Sequence, residues 1–197
     1  TLAAHGLTAA FGMPGGEVVT LLDALTRAGI GFHLARHETA AAMMAAGHAT
    51  LSRTPGLLVT TVGPGLANAV NGIADAAQEH VPLIVISGVV DRASRSRYTH
   101  QVIDHTALLA PLVKASFEVA PQGAAATVAR AIRLALTAPM GPVHLDLSPE
   151  IAALPAPDPE PALPTPVSRP GLAADDPALR ELADRIAKAH RPLVLAG

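Results

Sequence analysis

Short runs of β-branched and leucine residues alternate along this chain with alanine-rich segments of helical period, and that alternation restricts the fold more than any other feature. The strand candidates are Ala9–Met13, Gly31–Ala35, Gly56–Thr61, Leu83–Ser87, Lys114–Val119 and Pro142–Asp146. Helix candidates fall between them at Glu17–Ala28, Glu38–Leu51, Pro64–Ala77 and Gly123–Thr137. Repeated strand–helix–strand order implies a mostly parallel sheet wrapped by its crossover helices. In the helix from Glu17, Val18, Leu21, Leu22 and Leu25 recur at three- and four-residue spacing, which gives one buried stripe. The strands are apolar on both faces, so helices should cover both sides, as in a doubly wound α/β domain. Only 2% of residues are aromatic while 50% are hydrophobic. Ala, Val, Leu and Ile must therefore build the core, and small side chains let helices lie close to a sheet.

Asp91 to Ala107 is polar and carries Arg92, Arg95 and Arg97, which reads as a long surface loop of the kind that often serves function. Leu154 to Pro170 is dense in proline, a stiff extended linker. Beyond it Asp176 caps a helix with Pro177 in its first turn, running to about Ala189, and Pro192–Ala196 starts a strand. The expected organisation is a domain over residues 1–150, a linker over 151–175, and the start of a second α/β domain over 176–197. A chain that opens on Thr1 and stops after an apolar run reads as an excerpt of a longer polypeptide.

Net charge is −2 and no Lys/Arg cluster occurs, so nothing asks for nucleic acid or an anionic membrane. Cysteine is absent, which removes disulfides and thiolate metal sites and fits a reducing cytoplasm. The run Val81–Val90 is far short of the ~20 apolar residues a membrane helix requires, and no signal peptide is visible.

In doubly wound sheets ligands bind beyond the carboxyl ends of the strands. Three turns qualify: Phe11-Gly12-Met13-Pro14-Gly15-Gly16, Arg36-His37-Glu38, and Val62-Gly63-Pro64-Gly65-Leu66-Ala67-Asn68. All fall at one edge of the predicted sheet and can converge on one ligand. Each also has a plainer explanation. Pro-Gly-Gly makes a tight turn, Pro64 suits the first turn of a helix, and an acid such as Glu38 is favourable at a helix start. The Gly63-Pro64-Gly65 turn invites a dinucleotide reading, but Asn68 replaces the third glycine and no acid ends the next strand. His37-Glu38 begins like a zinc-protease helix, yet position 41 is Ala41. His100 and His105 have no third ligand at a metal-like spacing, and Ser87-Gly88 lacks a nucleophile elbow.

Order and spacing together decide. Phe11–Gly16 with Leu21-Leu22-Asp23-Ala24-Leu25 resembles the "FGxPGG…L.DAL" opening of acetolactate synthase and its thiamine-diphosphate-dependent relatives, the superfamily that includes pyruvate oxidase and benzoylformate decarboxylase. Arg36-His37-Glu38 resembles their "RHE", and Gly63-Pro64-Gly65, Asn68 and Gly72–Ala76 resemble "GPGxxNxxxGIADA". Val81–Gly88, the Gln101, Asp104, Pro111 and Lys114 spacing, and Gly141–Pro149 resemble further motifs, so the similarity covers essentially all of residues 1–150.

The resemblance implies an aminopyrimidine-binding domain. There a carboxyl group hydrogen-bonds the pyrimidine nitrogen and favours the imino tautomer that takes the thiazolium proton, giving the ylide that decarboxylates or carboligates 2-oxo acids. Glu38 occupies that position. Ala40, Ala41, Met43 and Met44 on its helix are expected to keep it dry and so favour the protonated donor. The resemblance further implies that Pro14, Gly15, Gly16, Gly63, Pro64, Gly65 and Asn68 border the cofactor. Gln101 would face the substrate as a catalytic amide, and Glu17, His100 and Lys114 would line the substrate pocket. Glu17 stands where acetolactate synthases usually carry a small residue, and His100 where they carry an aromatic one. Other relatives include benzaldehyde lyase, oxalyl-CoA decarboxylase and sulfoacetaldehyde acetyltransferase. The alternatives are a nucleotide-binding α/β protein and a non-catalytic module of the same fold.

The family holds Mg²⁺ and the diphosphate through a Gly-Asp-Gly…Asn segment of a separate C-terminal domain, and no metal ligand set occurs in these residues. Its active sites form between subunits. The resemblance therefore implies a homodimer or homotetramer, an inactive isolated stretch, and, from Asp176 on, the start of a central domain that in some relatives holds FAD.

Overall fold

The computed structural model describes residues 1–98, 100–155, 173 and 175–193. The chain divides into two compact units, Thr1–Pro164 and Thr165–Gly197. In the first, the alternation seen in the sequence is realised nearly element for element. Strand β1 (Ala9–Gly12) leads through a 3-10 turn (Gly16–Val18) to α1 (Val19–Arg27), followed by β2 (Gly31–Leu34), α2 (Glu38–Ser52), β3 (Gly56–Thr60), α3 (Pro64–Gln78) and β4 (Leu83–Gly88). Then come α4 (His105–Leu109), β5 (Ser116–Glu118), α5 (Ala124–Leu136), β6 (Pro142–Leu147) and α6 (Pro149–Ala152).

The six strands form one sheet in the order β2-β1-β3-β4-β6-β5, every pair parallel. The chain steps from β1 to β2 in one direction, runs from β2 to β5 in the other, and turns back from β5 to β6. Because parallel crossovers are right-handed, those reversals send α1 and α5 to one face and α2, α3 and α4 to the other. Two separate cores result. Ala41 and Ala45 of α2, Leu66 and Ile73 of α3 and Leu109 of α4 pack on Leu58, Leu83 and Val85. Leu25 of α1 and Ala131 and Ile132 of α5 pack on Leu57, Val59, Ile84, Ile86, Val143 and Leu145. Successive residues of β3 and β4 serve opposite cores, which is why both strands read as unbroken apolar runs.

Small residues set the layer spacing. A Cβ on Gly72 would lie 2.5 Å from Ala42 Cβ and 3.0 Å from the Thr39 carbonyl oxygen, so α2 and α3 touch nearly backbone to backbone. A Cβ on Gly12 would run into the Val59 carbonyl.

The segment expected as a long loop is more ordered than its composition suggests. It contains a 3-10 turn (Arg95–Arg97) and delivers α4, whose cap is Asp104, with Oδ1 accepting from the Ala107 amide at 2.8 Å. In the second unit α7 (Pro177–Lys188) starts as expected, with Asp176 Oδ1 accepting from the Ala178 amide at 2.8 Å. The proline-dense stretch and the strand expected at Pro192–Ala196 lie largely outside the described residues. Among the described residues no helix is long and apolar enough to cross a membrane.

Candidate active site

The chain leaves β1 toward β2 on one side, while β3 lies on the other. The carboxyl ends of β1 and β3 therefore bound a crevice, the position at which open α/β sheets take ligands. All three glycine-bearing or acidic turns open there. Thr61, directly after β3, is wedged between two of them. A Cβ on Gly15 would strike its Cγ2, and a Cβ on Gly65 would strike its Oγ1. The turns close on this side chain because both glycines lack one.

Glu38 opens α2 and is 7% exposed. His37 precedes it as cap, its Nδ1 accepting from the Thr39 amide at 3.2 Å. Asn68, on the first turns of α3, holds the start of α2 twice over. Its Nδ2 donates to Glu38 Oε2 at 3.1 Å, and its carbonyl accepts from Thr39 Oγ1 at 2.6 Å. The other carboxyl oxygen, Oε1, makes no hydrogen bond among the described residues and lies 3.4 Å from where a Gly65 Cβ would stand. One oxygen is thus tethered and the other is left over beside the turn on which Gly65 closes against Thr61. That donor set fits a flat heterocycle that presents a ring nitrogen. The shelter differs from the sequence-based expectation. Ala40, Met43 and Met44 lie on the exposed side of α2, with Met43 and Met44 at 45% and 41% exposure, while Ala41 enters the core. Glu38 is enclosed by the α3 turn instead, because a helix residue covers only its own face.

Gly63 has φ +29°, and a Cβ there would stand 2.5 Å from the Gln101 carbonyl oxygen. Half-buried Gln101 is therefore seated on the third turn, with exposed His100 beside it in sequence. Pro14, Gly16, Pro64 and Asn68 are exposed along the rim. Glu17 enters the same crevice. Its Oε2 lies 3.3 Å from a Gly15 Cβ position, and its Cβ lies 3.0 Å from that of Gly88 at the end of β4.

Lys114 is not brought to the site. It stands before β5, at the amino ends of the strands, and Nζ donates to the carbonyls of Leu134 at 2.6 Å, Pro139 at 2.8 Å and Thr137. Burial draws the ammonium below the ordinary lysine pKa. Its role is to join the Leu134 carbonyl in the last turn of α5 to the Thr137 and Pro139 carbonyls just beyond the helix.

A second polar cluster occupies the neighbouring part of the same sheet edge. Asp146 Oδ1 meets His105 Nδ1 at 2.7 Å and His144 Nε2 at 3.3 Å. His144 also reaches Ser87 at 3.1 Å and Ser116 at 3.3 Å, and Thr60 Oγ1 donates to Ser87 at 3.0 Å. Burial works against the Asp146 charge, but hydrogen bonds from His105 and His144 and the attraction of both rings bring its pKa down to about 2. Beside it lies a cavity of 370 Å³ lined by Arg95, Asp104, His105, Ser116 and Glu118 among others. No spacing along the chain marks this grouping around His105. His144 and Asp146 sit on β6, and only the β5–β6 reversal carries them under α4.

A buried carboxyl on a helix start, glycine turns around it, and a parallel sheet that ends there define a cofactor-binding α/β domain. Residues 1–108 match the family described as thiamine pyrophosphate enzyme, N-terminal TPP binding domain, and the chain belongs to that family. It is 36% identical over 200 residues to the acetolactate synthase large subunit of Lactococcus lactis, covering 100% of this chain and 35% of that protein. It is 34% identical over 201 residues to the probable acetolactate synthase large subunit of Methanocaldococcus jannaschii, covering 100% of the chain and 34% of the relative. Against the probable 2-ketoarginine decarboxylase of Pseudomonas aeruginosa it is 35% identical over 202 residues, with 100% and 36% covered. The chain thus spans about a third of the length of these curated relatives.

Proposed function

We propose that this chain is the pyrimidine-binding part of a thiamine-diphosphate enzyme that decarboxylates or carboligates 2-oxo acids, with Glu38 as the activating carboxyl. The observation that carries the proposal is the unequal treatment of the Glu38 oxygens, one held by Asn68 and one left open inside a buried crevice. Thiamine diphosphate, when bound, supplies a thiazolium carbon that can attack a carbonyl and hold the electrons released by loss of CO₂. The protein's part is geometric and protonic. Asn68 fixes the carboxyl plane, so Oε1 is presented to a ring nitrogen at hydrogen-bonding range and a proton can be held or passed at that atom. Gly16, beside which nothing stands, lets the ring approach the backbone, Gly15 and Gly65 let the turns close on Thr61, Gly63 seats Gln101, and Pro14 and Pro64 stiffen the two turns that border the ring. Gln101, set on Gly63, offers an amide to the substrate carbonyl.

The reading extends to parts outside these residues. Mg²⁺ and the diphosphate are held elsewhere in the polypeptide, the second unit opens a central domain of the kind that in some relatives carries FAD, and the isolated chain is inactive. A cytoplasmic homodimer or homotetramer completes the proposal. The exposed Met43 and Met44 make α2 apolar on its outer side as well as its inner one, which suits a helix covered by a second subunit. The test is exchange of the thiazolium proton in the full-length protein loaded with thiamine diphosphate and Mg²⁺. Glu38→Gln is expected to suppress exchange at least ~100-fold; exchange at the wild-type rate would refute the assignment.

A further inference from the structure

We propose that Glu17 selects the substrate, favouring a 2-oxo acid whose far end is a cation such as a guanidinium or ammonium group. The inference rests on the function proposed above.

Glu17 is half-buried, and no hydrogen bond or ion pair engages its carboxylate among the described residues. It is nonetheless confined. Its Cβ is pinned beside Gly88, where any side chain would stand 3.0 Å away, and its Oε2 folds back beside Gly15. Glu17, Gly15, Thr61, Gly65 and Glu38 then follow one another across the crevice, with the Glu17 carboxyl toward the methyl of Thr61 and the Glu38 carboxyl toward its hydroxyl. Glu38 has Asn68 as partner; Glu17 has none among the described residues. A charge that is partly removed from water and unpaired is costly, and a bound cation relieves that cost. The same charge repels the carboxylate of the 2-oxo acid, so the substrate must enter with its reacting end toward the Glu38 side and its other end at Glu17. Dicarboxylic 2-oxo acids present a second carboxylate to Glu17 and are rejected, and a short uncharged chain such as pyruvate leaves Glu17 unanswered.

Glu17 also lies in the 3-10 turn leading to α1, where an acid is electrostatically favourable. A purely structural role of that kind would affect every substrate alike, and the test separates the two. The 2-oxo acids of arginine and of citrulline have the same length and shape and differ in charge. In the full-length, cofactor-loaded protein, the wild type is expected to favour the arginine-derived acid by 10-fold or more in kcat/KM, on the order of a partly buried ion pair. Glu17→Gln is expected to collapse that ratio toward unity. Calorimetric titration of both acids into the slow Glu38→Gln protein gives the same comparison as binding constants, without turnover. Support requires a preference that disappears with the charge. No preference in the wild type, no use of either acid, or equal losses for both in Glu17→Gln would each overturn the inference. Failure of the underlying function is read separately, from thiazolium proton exchange in Glu38→Gln.

Discussion

The carboxyl edge of this sheet carries two polar assemblies with opposite habits. At β1/β3, Glu38 and Glu17 are confined but incompletely bonded among the described residues, on turns whose glycines let them close over Thr61. Around β4, β5 and β6, Thr60, Ser87, His144, Ser116, Asp146 and His105 bond to one another through the sheet. A buried polar group must be satisfied from somewhere. The second assembly answers the requirement within the chain and so contributes rigidity; the first leaves it to be answered by a ligand. The presence of titratable residues does not separate the two regions, since both are rich in them. What separates them is whether the bonds close.

The contrast can be broken at several points. The largest effect is expected at Glu38, where Gln should remove at least ~100-fold of proton exchange while shifting the unfolding midpoint little, since the amide keeps the shape and the tether to Asn68. Next is Gly65→Ala, whose methyl would meet Thr61 Oγ1 and the Glu38 side of the crevice. A loss of about 1–3 kcal/mol of stability is expected, with weaker cofactor binding by calorimetry. Asp146→Asn should reverse the pattern, costing about 2 kcal/mol at neutral pH and leaving cofactor affinity nearly intact. Its pH dependence has a definite sign. The folded-state pKa of about 2 lies below the ordinary value of 3.8, so the stabilisation is full above about pH 4 and is lost as pH falls toward 2. Urea midpoints of wild type and variant should converge over that interval. The smallest effect is expected for Lys114→Met, about 1 kcal/mol from three carbonyls left to water, with proton exchange unaltered.

Legibility in the sequence followed the range of the interactions. Helices and strands were readable because period and capping are local, and the crevice was readable because its turns each sit at a strand end. Besides the grouping around His105, three features were not. The α4 helix is a single five-residue turn set by Asp104 and by the burial of His105, and a polar segment gives no periodic signal for it. The Lys114 spacing resembles that of a pocket residue, but direction along a strand decides which end of the sheet a neighbour faces, and Lys114 precedes its strand. Proximity along α2 points to Ala40, Ala41, Met43 and Met44 as the surroundings of Glu38, whereas the enclosing residues come from α3, 30 positions away at Asn68. Contacts between elements are set by topology, which spacing along one element does not encode.

Thr61 gives the crevice a property of its own. Its methyl faces the first turn and its hydroxyl the third, so one small residue acts as a shim of two different thicknesses. Exchange for serine would thin only the side toward Glu17, and exchange for valine would change only the chemistry of the side toward Glu38. Breadth of the substrate end and polarity of the cofactor end can therefore drift independently at a single position, a route by which relatives on this scaffold could diverge in what they accept without disturbing how they ignite it.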